Sequence, residues 1–267
     1  MKAFIPSFNL IQDKVKFLSK KLSLSRFLKK TGRKLAIPIE QTLSLAVYKQ
    51  SNGIPTKKSI HRTFKPNCSY KTLVVNMNRF ALYALLFLKI IMDFNRSNSH
   101  VIKHTDSTDV PVCLFKNAKN HKTMKLLAEF GRSSKGIYYG LKLHKTDDLC
   151  RKLLAFKFTG AKADDRAVFK EMNKDLYGLF IADAGYISKD LARDFYLERK
   201  RILFTQPRKN MKKLISSFDY HLYNTRMIIE LSFRNLKMFY NLITSLPRSV
   251  DGYLANYIYS LLAGVIA

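Results

Sequence analysis

Along the first hundred residues, apolar positions repeat with the period of helices. From Ser7 to Lys30, Phe8, Ile11, Val15, Leu18, Leu22 and Leu28 recur at helical spacing with lysines between them, which predicts an amphipathic basic helix or helix pair. A second helix is expected behind Pro38, whose fixed φ suits a first helical turn, and should stop at Asn52-Gly53, a pair suited to a left-handed cap. After Pro55 a short helical stretch carries Ile60 and Phe64. The chain then breaks at Lys65-Pro66-Asn67, and Ser69 is placed to cap a long helix through Met92.

The pattern changes after the polar stretch Asn95 to Ser99. Val101 to Thr105 is a short β-rich run. Gly136 to Lys145 and Leu153 to Thr159 alternate with the period of strands, around Tyr139, Leu141 and Leu143 and around Leu154, Phe156 and Phe158. The turn-prone pair Asp147-Asp148 between them predicts an antiparallel hairpin. A helix over Asp165 to Leu176, a strand over Leu179 to Ala182, a helix over Ser188 to Glu198 and a strand over Ile202 to Thr205 follow, with helices to the C-terminus. Strands alternating with helices imply an α/β fold, a mixed sheet flanked by helices, and the order of elements is that of a ribonuclease-H-like domain. The predicted division is residues 1–98 as a small all-α module and residues 99–267 as the sheet domain with C-terminal helices.

Composition narrows the choice of partners. The 267 residues are 47% hydrophobic, enough to bury a core. A net charge of +29, from 48 Lys and Arg against 19 Asp and Glu, repels itself unless a polyanion or an anionic membrane neutralises it. The basic residues run from Lys14 to Arg248 and not in one tail, which suits a surface that tracks DNA phosphates. A membrane span needs about 20 continuous apolar residues. Phe80 to Met92 is shorter and holds Lys89, so both it and Tyr253 to Ala267 read as buried helices, and no membrane is expected. The first ten residues lack a long apolar run or cleavage site, and Cys68, Cys113 and Cys150 are scattered, so a reducing cytoplasm is expected. With DNA in view, the short helix, break and long helix around Ser69 resemble a helix-turn-helix in which Tyr70, Lys71, Thr72 and Asn76 face the duplex.

Three acids stand where chemistry can occur. Asp106 follows the run VIKHT at a predicted strand end, and Asp183 closes Leu179 to Ala182 in FIADAGY, where Gly185 turns the chain toward the next helix. Ligands in open α/β sheets bind beyond strand ends. Glu230 lies on a predicted helix among Ile228, Ile229, Phe233 and Leu236. Three converging carboxylates repel one another, and divalent cations relieve that repulsion, with hard oxygen donors favouring Mg²⁺ or Mn²⁺. Two such ions can activate a water or a 3′-hydroxyl for in-line attack at a phosphodiester. The competing reading makes Asp106 and Asp183 solvated loop carboxylates and pairs Glu230 with Arg226 one helical turn away.

Other constellations fail. His100 and His104 lie on a strand with no cysteine near enough for a zinc set, and Cys113 with His121 lacks an oxyanion hole. The GRSSKG string does not fit the Walker spacing. Lys142 and the basic loop residues Arg208 and Lys209 could contact phosphates.

Tyr223, Arg226, Glu230 and Lys237 reproduce the Y-x2-R-x3-E-x6-K signature that insertion-sequence transposases carry around their third acid. The strings HTDSTDVPVC, GRSSKGIYYGLKLH and ADAGYISKDL resemble segments of the insertion sequence 982 family, in matching order from about residue 100 to 240. The chain thus resembles a bacterial DDE transposase, with departures at Ile137 and at Ala161-Lys162. The resemblance implies that Asp106, Asp183 and Glu230 hold two Mg²⁺ or Mn²⁺ ions, and that Arg226 and Lys237 hold the DNA backbone near the cleaved bond. It also implies that Tyr223 supports a distorted terminal nucleotide. The partners it implies are double-stranded DNA, as terminal inverted repeats and target, and further copies of the chain; its place of action would be the bacterial nucleoid. A ribonuclease-H-like nuclease and a decayed transposase that binds without cutting are the alternatives.

Overall fold

The computed structural model describes residues 4–27, 34–207, 211 and 214–267. In chain order the elements are α1 (Phe4–Lys21), α2 (Ile39–Ser51), α3 (Lys57–Phe64), α4 (Tyr70–Ser97), β1 (Ile102–Pro111), β2 (Glu129–Ser133), β3 (Gly136–Asp148) and β4 (Leu153–Gly160). They continue with α5 (Asp165–Met172), β5 (Leu179–Ala182), α6 (Lys189–Arg199), β6 (Ile202–Thr205), α7 (Ser217–Asn224), α8 (Met227–Met238) and α9 (Val250–Ile266). Two compact units form: Met1–Ile90 together with Asn235–Ala267, and Ile91–Arg234.

The helical unit follows its sequence signals closely. Ile11, Val15 and Leu18 bury one stripe of α1, as the spacing predicts, whereas Leu28 and Lys30 lie outside the described residues. Pro38 precedes the first turn of α2, and Gly53 takes the left-handed φ of +62° just past its end. Lys65 adopts φ +42° to end α3, and the Ser69 hydroxyl accepts from the Thr72 amide to open α4. The α9 helix returns to pack against α2, burying Tyr253, Tyr257 and Leu261, and the Gln50 amide nitrogen donates to the Asn256 side-chain oxygen at 2.9 Å. Residues 235–267 therefore sit with the helical unit, where the sequence pattern had grouped them with the sheet.

The α4 helix outruns the expected end at Met92. At 28 residues it is long and apolar enough, by length and composition, to cross a membrane. It also buries Leu73, Met77, Ala84 and Leu88 at helical spacing.

In the sheet unit the order is β2-β3-β1-β5-β6, with β4 pairing β3. The first half of β3 pairs β2 and the second half pairs β4, so the two share one edge of β3 while β1 takes the other. This is the mixed sheet of a ribonuclease-H-like fold, and β2 is an element the alternation did not reveal: its five residues are mostly exposed, so no apolar face marks it.

The Asp147-Asp148 pair is strand, not turn, and both residues are fully buried. Asp147 is compensated by the Lys145 ammonium, and Asp148 accepts from the backbone amides of Lys152 and His100, closing the turn that follows.

One sheet face is sealed by an aromatic cluster under α5 and α6: the Phe169 and Phe195 rings lie 4.9 Å apart and those of Phe180 and Phe195 5.0 Å apart. Asp164 and Ser188 cap these helices with side-chain acceptors. The opposite face carries the charged residues described next.

Candidate active site

The placement of the first two acids is decided by strand register. β1 and β5 are parallel, with Ile102, Lys103 and His104 opposite Leu179, Phe180 and Ile181. Extending that register by two residues sets Asp106 opposite Asp183. In-register residues of parallel strands point to the same face, and neighbouring strands lie about 5 Å apart, so the two carboxylates are neighbours. Asp106 is not the last residue of its strand, because β1 continues through Pro111 against β3. It lies just past the point where β5 stops pairing with β1.

Gly178 holds this register. Its φ is +104°, and a Cβ there would come within 2.2 Å of the Val101 carbonyl oxygen, which accepts from the Leu179 amide. A side chain at that turn would push β5 away from β1 and misplace Asp183. The Asp183 carboxylate accepts from the Ala184 amide at 2.6 Å, fixing its rotamer.

Glu230 arrives on α8. Arg226 ties it to the strand acid: one guanidinium nitrogen donates to Asp106 Oδ2 at 2.9 Å and the other to Glu230 Oε1. The pairing of Arg226 with Glu230 one turn away therefore exists, and the same guanidinium also reaches Asp106. Tyr223, on α7, presents its ring to that guanidinium at 5.8 Å. Burial pushes the Asp106 carboxyl up to about 6, a rise to which Asp183 and Glu230 add and which the Ser107 amide and Arg226 oppose. Around Arg226 burial works against the charge, but Asp106, Tyr223, Glu230 and Asp183 outweigh it and hold the guanidinium above its ordinary range.

Five further residues fix this geometry, and sequence reasoning missed their part in it. Lys145, opposite Asp106 in the β1–β3 register, donates to Asp147 Oδ2 at 2.6 Å and to the Ser232 hydroxyl of α8. His104 Nε2 meets the Thr225 hydroxyl at 2.8 Å, and that hydroxyl donates to the Leu222 carbonyl, so the ring nitrogen is the donor. Burial lowers the His104 pKa to about 4 and keeps the ring neutral. Together these bonds dock the start and middle of α8 on β1 and β3. A charged residue at an inward strand position was the available signal for Lys145.

Other expected residues land elsewhere. Lys237 is half-buried, about two turns beyond Glu230 on α8. Lys142 is engaged with Asp165 at 3.0 Å and the Ala163 carbonyl at 3.1 Å. Tyr70 and Lys71 are exposed on the first turn of α4, but Asn76 is 7% exposed, turned inward by its place between Leu73 and Met77. Arg208 and Lys209 lie outside the described residues.

Among the described residues, no three Asp, Glu, His or Cys side chains stand close enough together to hold one ion as they are. The donor set nevertheless fits a hard divalent cation: Asp106, Asp183 and Glu230 offer only carboxylate oxygens, and two of them already hold a cationic group, the Arg226 guanidinium, between them.

No curated protein and no solved structure matches the chain. Residues 96–250, more than half of its length, match the family described as Transposase DDE domain. That span contains the sheet, Asp106, Asp183 and Glu230, and the chain accordingly belongs to the DDE transposase family.

Proposed function

We propose that this transposase binds the terminal inverted repeats of its own element and cleaves DNA there, then transfers the freed 3′-hydroxyl to a target, with Asp106, Asp183 and Glu230 as the metal ligands. The observation that carries the reading is the pairing of two strand acids in register with a helix acid tied to one of them, Asp106, through Arg226. The Tyr-Arg-Glu-Lys spacing supports the narrower assignment to the insertion sequence 982 family.

When bound, two Mg²⁺ or Mn²⁺ ions would activate the attacking oxygen and stabilise the leaving one. Asp106 must give up its proton to serve as a ligand, which its raised pKa makes the protonation-sensitive step of assembling the site. The Arg226 guanidinium would yield its place to ions held by these carboxylates and, beside the Tyr223 ring, would then be free to hold a DNA phosphate near the reacting bond. Lys237, and Arg208 and Lys209 of the basic loop, extend the phosphate contacts, while Lys71 belongs to the face of α4 that meets the repeat. Double-stranded DNA neutralises the charge of +29. Joining two ends at one target calls for at least two copies of the chain. Such an element acts at the bacterial nucleoid.

The test is a labelled duplex carrying the flanking inverted repeats, incubated with Mg²⁺ or with EDTA, beside a Glu230→Gln variant. End-specific cleavage that needs the metal and vanishes in the variant is expected. Equal binding by both proteins with no cleavage by either would replace the reading with that of a transposase that only binds.

A further inference from the structure

The helical unit contains a cavity of about 370 Å³ that the DDE chemistry does not use. Lys49 of α2 and Lys57 of α3 line it, with Arg248 just ahead of α9. Lys49 is 7% exposed, and burying an ammonium is costly unless it is paired. Neither lysine forms an ion pair with an acid among the described residues, which include every Asp and Glu of the chain. Their hydrogen-bond acceptors are neutral amides: Lys49 donates to Gln50 Oε1 at 3.0 Å, and Lys57 donates to Asn78 Oδ1. An ammonium has three N–H donors, so each retains donors for something in the cavity.

Burial lowers the pKa of each lysine to about 8, and the charge of Lys57 adds to the lowering at Lys49. Both remain mostly protonated at neutral pH. Two like charges held together without an acid are a standing cost in the empty protein, and an anion removes it. The first turn of α9 adds to the field, since Ser249 and Gly252 line the same cavity at the positive end of a 17-residue helix. The acid on that turn, Asp251, is exposed and does not line the cavity. The rest of the lining joins polar side chains, Thr56, Thr244 and Asn256 among them, to an apolar wall that includes Val74, Met77 and Pro247.

We infer that this cavity is a site for one nucleotide unit, its phosphate held by Lys49, Lys57 and Arg248 and its base or sugar set against the apolar wall. The volume falls within the usual range for small-ligand pockets, and a bare inorganic anion would leave the apolar wall unused. The same chemistry could come from a free nucleotide or from the phosphorylated terminal nucleotide of a DNA strand. This inference goes beyond the cleavage reading and does not depend on it.

The full chain should be titrated with deoxyadenosine monophosphate, deoxyadenosine and inorganic phosphate, and then with a short duplex with and without a 5′-phosphate. Lys49→Met and Lys57→Met serve as variants. In the wild type the monophosphate should bind and the nucleoside should not, with affinity falling about tenfold or more in each variant. The variants' melting temperature without ligand should stay level or rise, because a buried charge lacking an acid has been removed. If the monophosphate does not bind but the 5′-phosphate strengthens duplex binding in wild type alone, the source is a DNA end and the site stands. Should a variant fail to fold, lysine acylation of the wild type read by mass spectrometry replaces it, with slowed modification of Lys49 and Lys57 expected under the probe. No phosphate-dependent binding by either probe, or modification of both lysines unchanged by them, would overturn the inference.

Discussion

Lys145→Met is the perturbation that tests most directly how the acid-bearing helix is held. Lys145 is 6% exposed, and its ammonium contacts Asp147 at 2.6 Å and the Ser232 hydroxyl of α8. Asp147 is fully buried, and its second oxygen, Oδ1, has no hydrogen-bond partner. Removing the ammonium leaves a buried carboxylate uncompensated, a loss of about 3–5 kcal/mol by the general behaviour of such pairs. Burial already raises the Asp147 pKa, and Lys145 opposes that rise, so the variant's carboxyl moves further up. A raised carboxyl pKa means that the folded variant keeps a proton the unfolded chain releases. The penalty is therefore largest at high pH and shrinks as pH falls toward the ordinary carboxylate range. Replacing both partners, as Lys145→Met with Asp147→Leu, removes the buried charge altogether and should return stability to within about 1 kcal/mol of wild type. Urea unfolding can be followed through the 14 tyrosines, since the chain has no tryptophan. A single variant that loses under about 1 kcal/mol, or a double variant as unstable as the single, would refute the argument. DNA cleavage by the double variant should still fall, because Ser232 no longer ties α8 to β3.

Three further outcomes follow from the same geometry. Arg226→Gln removes the cation that bridges Asp106 and Glu230, so Mn²⁺ binding measured without DNA should tighten while cleavage weakens; unchanged Mn²⁺ affinity would show that the guanidinium does not compete for the site. His144 is 1% exposed, and burial depresses its pKa from 6.5 to about 4, with Lys142 and Lys157 adding and Asp165 opposing. The unfolded chain binds the proton first, so stability is full above about pH 6.5 and is lost as pH falls, by about 2 kcal/mol at pH 5. His144→Gln should flatten that loss in melts run from pH 7.5 to 5, and an equally steep loss in the variant would assign it to other groups. With a charge of +29, DNA affinity should fall by roughly 10³ or more between 50 and 200 mM salt, and a shallow salt slope would argue against a long phosphate footprint.

What could be read from the sequence, and what could not, divides by the range of the interaction. Capping is local, and Ser69, Pro38 and Gly53 stand where their residue types predicted. Strand periodicity is local too, so β5 and β6 match their expected bounds. The misreadings arise where a distant partner overrides a local preference. Asp147-Asp148 looks like a turn by composition, yet Lys145 and the backbone of His100 and Lys152 make both acids acceptable inside a strand. The C-terminal helix joined α2 because of apolar contacts that no spacing rule contains. Arg226 and Glu230 show the division within one site. Their four-residue spacing is equally compatible with an ordinary helix pair and with part of a catalytic signature, and the structure contains the ordinary pair. What separates the two readings is the bond from the same guanidinium to Asp106, 120 residues away, together with a β1–β5 register that sets Asp183 beside it. A helix pair that also closes on Asp106, with Asp183 beside it in register, supports the proposed metal site, which an isolated surface pair does not.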